Sequence, residues 1–329
     1  MVVHGHGDPN SAYVAKELAE IEETVNFERR HADVTYWELF KPGMLNRTHI
    51  GIFTQIWSQL TGMNVMMYYI TYVFTMAGIG SSVLLSSSIQ YIINVLMTVP
   101  ALLYVDRWGR RPTLLIGAAF MMTWMFANAG IIATYSRAPY PGEFPSLSES
   151  FAITGAPSKA VIACTYLFVA SYAPTWGPVS WIYPPELYPL RVRGKAVALA
   201  TSANWAFNFA LSYFVPPAFQ NITWKVYILF GVFCACMFIH VFFLFPETAS
   251  KPLEEVENIF DDTTPGSVRY LGTPAWKTHV DRDARRFWER GEVGSDEKIG
   301  TTRHVERAEE GGHVESGYVD QGLGEQRKF

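Results

Sequence analysis

Apolar residues run without a single Asp, Glu, Lys or Arg over 51–105, 112–136, 160–185, 196–224 and 226–246. A helix needs about 20 mostly apolar residues to cross a bilayer. The first stretch is long enough for two helices, with Gly78-Ile79-Gly80-Ser81-Ser82 as the turn between them. The pattern therefore predicts six membrane helices, over 51–76, 83–105, 112–135, 160–187, 195–218 and 224–245.

Outside this block, 51–246, the pattern changes. Residues 1–50 form a cytoplasmic segment, with an amphipathic helix expected around Ala12–Arg30 (Leu18, Ile21 and Val25 on one face) and then a loop through Lys41-Pro42-Gly43. They lack a basic start followed by an apolar run, so no cleavable leader is expected and the first span acts as the membrane signal. Residues 247–260 predict a short amphipathic cytoplasmic helix. Residues 261–329 mix both charges with Gly and have no apolar period, which reads as a disordered cytoplasmic tail.

Composition sharpens the division. Only 14 of the 56 charged residues fall within 51–250, and the chain as a whole is 17% charged against about 25% for a soluble domain. The middle is therefore embedded in lipid. A net charge of −4 gives no nucleic-acid footprint, and three cysteines give no disulfide framework. Arg107, Arg110 and Arg111 fall between the second and third spans, and Arg191, Arg193 and Lys195 between the fourth and fifth. The positive-inside rule puts both loops, and with an even number of spans both termini, on the cytoplasmic side.

Polar residues within spans are costly, which makes them functional candidates. Here most are neutral amides. Gln55 and Gln59 form an i, i+4 pair, as do Gln90 and Asn94, and Asn204 and Asn208. Asn64 lies about 140° round an ideal helix from Gln59, but a bend at Gly62 would return it to the same face. Trp176 and Trp181 stand among Pro174, Gly177, Pro178, Pro184 and Pro185, a sequence that breaks the backbone ladder, as happens where a helix lines a cavity. Amides donate and accept without charge, which suits the adjacent hydroxyls of a sugar, and a Trp ring suits its C–H face. The competing reading is that the amides only join helices, since interhelical hydrogen bonds in membranes average about 0.6 kcal/mol and are common.

A second constellation lies at the cytoplasmic ends. Asp106, Arg107, Arg110 and Arg111 form a tight turn, Glu186 stands at the end of the fourth span and Arg193 just past it, and Glu247 follows the sixth. Arginines set among carboxylates there would clip helix ends together. His4-Gly-His6 has no third ligand nearby and reads as solvated linker. No nucleophile elbow, zinc spacing or phosphate loop is present, so nothing argues for an enzyme, a metal or a cofactor.

Together these residues carry a resemblance. Ser58-Gln59-Leu-Thr-Gly62-Met-Asn64 followed by Tyr68-Tyr69, the turn Asp106-Arg107-Trp-Gly109-Arg110-Arg111, Trp176-Gly177-Pro178-Val-Ser-Trp181, Asn204-Trp205 and Pro246-Glu247-Thr248 resemble the C-terminal half of a major facilitator superfamily sugar transporter of the fungal hexose and pentose type. The resemblance covers about residues 4–260. It implies an all-α polytopic membrane protein, with these six helices as the C-terminal bundle of a twelve-helix fold, expected in the plasma membrane. It also implies a monosaccharide substrate held by Gln55, Gln59, Asn64, Asn94, Trp181 and Asn204, an outer gate at Tyr68 and Tyr69, and alternating access, either proton-coupled or facilitative.

Two departures stand out. Ser58 occupies a place where the family usually has glutamine, and Pro246-Glu247-Thr248-Ala249-Ser250 replaces the family's Pro-Glu-Thr-Lys-Gly. The other half of the sugar site would lie on an N-terminal six-helix half, so the chain reads as a truncated transporter or gene model. The alternatives are a sugar sensor that does not transport and an inactive half.

Overall fold

The computed structural model describes residues 34–76, 83–138, 140 and 151–251, with isolated positions at 18, 19, 22, 26, 256, 259, 260, 275 and 278. Most of the Ala12–Arg30 helix, the turn at 78–82, much of the 247–260 segment, whose described residues 247–251 are not helical, and nearly all of the tail lie outside the described residues.

After a 3-10 helix at Tyr36–Phe40 come α1 (Leu45–Leu60), α2 (Met63–Tyr68), α3 (Ile70–Met76), α4 (Val83–Trp108), α5 (Arg110–Tyr135), α6 (Ala156–Tyr172), α7 (Trp176–Leu187), α8 (Leu190–Asn221) and α9 (Lys225–Leu244). The only extended pairing among the described residues is an isolated bridge between Arg137 and Ala152. The architecture is all-α.

The expected spans divide differently from a set of six rods. Among the described residues, α4, α5 and α9 are each long and apolar enough to cross a bilayer by length and composition. Helix α8 is longer, at 32 residues, but carries Thr201, Ser202, Asn204, Asn208 and Ser212. The stretch 51–76 is broken twice, at Thr61-Gly62 and at Tyr69, and the stretch 160–187 once, at Ala173-Pro174-Thr175. Proline cannot donate to the helix ladder, which accounts for the interruption at Pro174. The expected turn from Asp106 to Arg111 shrinks to Gly109, at φ +83°, because Asp106, Arg107 and Trp108 stay in α4 while Arg110 opens α5.

Gly62 is what bends the first stretch. Its φ of +86° is left-handed, a conformation that costs a residue with a Cβ about 1–2 kcal/mol. Thr61 mends the break, its Oγ1 donating to the Ser58 carbonyl at 2.8 Å and accepting from the Met63 N–H at 3.3 Å.

In the core, α5 packs between α9 and α6, and α1 between α8 and α7. Leu114, Ala118, Met121, Met125, Ala129 and Ile132 form the buried stripe of α5, facing Phe230, Cys234, Met237 and Val241 of α9. Gly117 allows α5 to approach the α6–α7 break, since a Cβ there would lie 2.2 Å from Thr175 Oγ1.

Replacing Gly62 tests this account. A Cβ at that position would lie 2.9 Å from Met125 Cε and 3.0 Å from Phe230 Cγ, in a backbone conformation that already disfavours it. Gly62→Ala is expected to lower stability by roughly 1–3 kcal/mol, read as a lower apparent melting temperature of the purified chain by tryptophan fluorescence. An unchanged melting point would mean the left-handed turn is not required.

Candidate functional site

The break at Gly62 brings Asn64 back towards α1, where its Nδ2 donates to Gln59 Oε1. Gln59 Nε2 donates to Asn204 Oδ1 on α8 at 3.0 Å, and Asn208 Nδ2 donates to Gln59 Oε1 at 3.1 Å. Asn204 Nδ2 donates to Gln55 Oε1 at 2.7 Å and to Ser58 Oγ at 3.2 Å. Gln55 Nε2 reaches the Ser180 carbonyl of α7 at 2.9 Å. Six side chains from α1, α2 and α8 thus form one continuous network, anchored on α7.

The network is graded in exposure. Gln55, Ser58, Gln59 and Asn204 are buried, while Asn64 and Asn208 are only partly so. Trp181, one residue beyond the Ser180 anchor, is 52% exposed. The buried members satisfy one another, as buried polar groups must, and the rim is left partly open. Ser58, which stands where the resembled family usually has glutamine, accepts from Asn204 and donates to the Gln55 carbonyl at 2.8 Å, so the smaller side chain keeps its place in the chain of bonds.

The structure does not bring Asn94 into this network. It lies on α4, which packs on α3, α5, α6 and α7. Gln90, its i, i+4 companion, donates to the Met66 carbonyl at 2.9 Å instead. Tyr68 is exposed, whereas Tyr69 donates its hydroxyl to the Ser212 carbonyl of α8 at 3.2 Å.

The charged constellation is built around two carboxylates. Arg110 holds Glu186 through Nε at 3.1 Å and Nη2 at 2.7 Å, and pairs with Asp106 at 2.9 Å one turn back. Thr248 Oγ1 donates to Glu186 Oε2 at 2.5 Å. Glu247 is 1% exposed, and its carboxylate accepts from four backbone N–H groups: Arg110 at 2.8 Å, Arg111 at 3.1 Å, Thr248 at 3.0 Å and Ala249 at 2.9 Å. The first two are the unpaired amides at the start of α5, and the positive end of that helix favours a negative charge.

The other arginines take different roles. Arg193 donates through Nε at 3.2 Å and Nη2 at 3.1 Å to the Tyr188 carbonyl, not to a carboxylate, because Tyr188 ends the α7–α8 corner with an open acceptor. Arg111 donates to the Phe242 carbonyl at 2.9 Å, and Arg107 lies 6.0 Å over the Tyr104 ring.

Sequence reasoning missed several contributors. Arg47 is buried at the start of α1 and donates to the Leu187 carbonyl at 3.3 Å, while the Tyr188 hydroxyl donates to the Arg47 carbonyl at 3.1 Å. Burial pushes the Tyr188 hydroxyl up from its ordinary pKa, which keeps it a donor. Trp57 Nε1 donates to His240 Nδ1 at 2.7 Å, and the one signal in sequence was a lone histidine within an apolar run. Thr278 is buried and accepts from the Glu247 N–H at 2.8 Å, from a position within the segment expected to be disordered.

Comparison with known proteins fits this geometry. The chain belongs to the family described as Sugar (and other) transporter, whose model matches residues 4–260. It is 47% identical over 284 residues to the high-affinity glucose transporter of Kluyveromyces lactis, covering 83% of this chain and 49% of that protein. It is 42% identical over 316 residues to high-affinity glucose transporter 1 of Candida albicans, covering 94% of this chain and 54% of that one. The chain spans about half the length of the curated relatives it matches. Among solved structures, it resembles the inward-open xylose transporter XylE of E. coli, with a TM-score of 0.57 and 26% identity over 78% of this chain and 48% of that one. The fold is that of the major facilitator superfamily.

Glu247→Gln removes the charge that answers four N–H groups while keeping the shape. Hydrogen bonds to a charged group are worth roughly 1.5–3 kcal/mol, and a loss of that size is expected in the thermal unfolding of the purified chain. A variant as stable as the parent would show that Glu247 does not cap α5 energetically.

Proposed function

We propose that this chain forms one half of a monosaccharide transporter, with six membrane passages made from α1–α3, α4, α5, α6–α7, α8 and α9. The observation that carries the reading is the amide network: neutral, continuous across three helices, buried at its base and open at a rim of Asn64, Asn208 and Trp181. A rim of uncharged donors and acceptors beside an exposed indole suits a polyol that must bind and leave. Kinship with glucose transporters and with XylE, which has been solved bound to 6-bromo-6-deoxy-D-glucose, supports the same substrate class. Asn94 and the buried Gln55, Gln59 and Asn204 belong to the sugar wall in this reading, with Tyr68 and Tyr69 as the gate. The complementary wall comes from an N-terminal half, and both termini of this chain face the cytoplasm.

The cytoplasmic cluster then acts on conformation. Arg110 joins α5 to the end of α7 through Glu186, and Glu247 joins the end of α9 to the start of α5. Transport rocks this bundle against its counterpart around the sugar, and these contacts hold one of the two end states.

Asn64→Ala and Trp181→Ala, in the chain assembled with its complementary half, should each weaken sugar affinity roughly 5- to 150-fold, the equivalent of about 1–3 kcal/mol, at unchanged surface levels. Uptake kinetics equal to the parent for both variants would reduce the amides to helix glue.

Arg110→Ala separates the second role from the first. It leaves Glu186 partly buried without its bidentate partner, so turnover should fall more than equilibrium sugar binding. Binding that collapses in step with uptake would place Arg110 in the sugar site instead.

A further inference from the structure

We propose that Gln90 and Tyr91 of α4 are positioning residues that clamp the short α2 segment and thereby control opening of the chain at the Tyr68–Tyr69 break. Gln90 Nε2 donates to the Met66 carbonyl at 2.9 Å, and the neighbouring Tyr91 hydroxyl donates to the Met67 carbonyl at 3.2 Å. Both carbonyls lie in the last turn of α2, where a helix leaves its C=O groups without intrahelical partners. Two consecutive side chains of one helix thus seize two consecutive carbonyls of another. Gln90 is fully buried and Tyr91 is 48% exposed, so the clamp has one dry jaw and one open jaw.

Gln90 is used from one end only. Its Oε1 is buried and accepts no hydrogen bond among the described residues. A buried amide left half satisfied is costly, so the residue serves here through its donor. Asn64 at the start of α2 reaches Gln59, and Tyr69 just past its end reaches the Ser212 carbonyl. The six residues of α2 therefore join the amide network to the break, and the clamp fixes the end nearer the break. The role of that break as a gate rests on the transport reading above; the clamp itself rests on these hydrogen bonds.

The test reads opening directly and needs no sugar. Val73 on α3 is 1% exposed, so Val73→Cys reacts with a small maleimide only when the segment beyond the break swings out. Cys164 and Cys236 are changed to Ser, and the fully buried native Cys234 is kept as the internal reference for general loosening of the bundle. In the full chain, Gln90→Leu combined with Tyr91→Phe should speed labelling at the Val73→Cys position about tenfold, the loss expected for two neutral hydrogen bonds, with Cys234 unchanged. Tyr91→Phe alone removes one hydroxyl from a half-exposed side chain, so it leaves the packing intact and should speed labelling severalfold. Labelling rates equal to the parent in these variants, or rates that rise together with Cys234, would overturn the clamp. Adding D-glucose examines the transport reading separately, because a sugar without effect on the parent's labelling would count against the substrate while leaving the clamp as measured.

Discussion

The left-handed turn at Gly62 is the constraint on which the site depends. A continuous helix from Leu45 to Met76 would carry Asn64 well away from Gln59, and the network would end at the top of α1. With φ at +86°, the chain restarts at Met63 on a new axis and Asn64 returns to bond Gln59. The same residue sets the packing behind it. Met125 of α5 and Phe230 of α9 occupy the space that a Cβ would claim, so the helices that back the site can close on it. Backbone groups freed by the break are answered locally by Thr61, whose hydroxyl both donates and accepts. A break in a membrane helix is tolerated when its polar groups are satisfied in this way.

Two different solutions to burying polarity are at work. In the middle of the bundle, amides pair with amides, each supplying both a donor and an acceptor, and no charge needs neutralising. At the end of the bundle that carries the charged cluster, Glu247 is buried and Glu186 partly so, and each has dedicated counterparts. Glu186 has the Arg110 guanidinium and the Thr248 hydroxyl. Glu247 has no guanidinium within hydrogen-bond reach among its described partners and relies on four backbone N–H groups at a helix start. Four donors satisfy the buried carboxylate, and it ties the end of α9 to the start of α5 more firmly than a surface ion pair would.

Much of this was legible in the sequence, and the rest fails for identifiable reasons. The charge-free runs locate the helices because lipid excludes ionised side chains, and the i, i+4 spacing of Gln55 with Gln59 and of Asn204 with Asn208 puts each pair on one face. The bend that recovers Asn64 was readable from Gly62. Spacing says nothing, however, about which helices are neighbours. Gln90 and Asn94 look like a third amide pair, yet α4 does not pack on α8 and Gln90 bonds a carbonyl of α2. Backbone partners are equally invisible. Arg193 was expected to meet an acid and meets the Tyr188 carbonyl, and Glu247 was expected to meet arginine side chains and meets their main-chain amides. Thr278, 31 residues beyond Glu247, bonds its N–H, a long-range contact that no local pattern encodes.

The distribution of bonds also shows which parts of this bundle are tied least firmly. Helix α1 is tied along its length: Arg47 donates to the Leu187 carbonyl and accepts from the Tyr188 hydroxyl at the α7–α8 corner, Gln55 holds α7 through Ser180, and Gln59 and Gln55 hold α8 through Asn204. These contacts join three helices by buried groups, so α1, α7 and α8 resist separation. The segment beyond Gly62 is attached differently. Among the described residues its side-chain bonds to the rest are those of Asn64, Tyr69, Gln90 and Tyr91, and each neutral bond is worth about 1 kcal/mol net. Releasing such a segment costs a few kcal/mol beyond its apolar contacts, within the range that separates a major from a minor conformer. Detaching α1 would break charged and buried bonds at several depths at once. The weaker attachment is therefore that of the segment beyond Gly62, which contains the Tyr68–Tyr69 break.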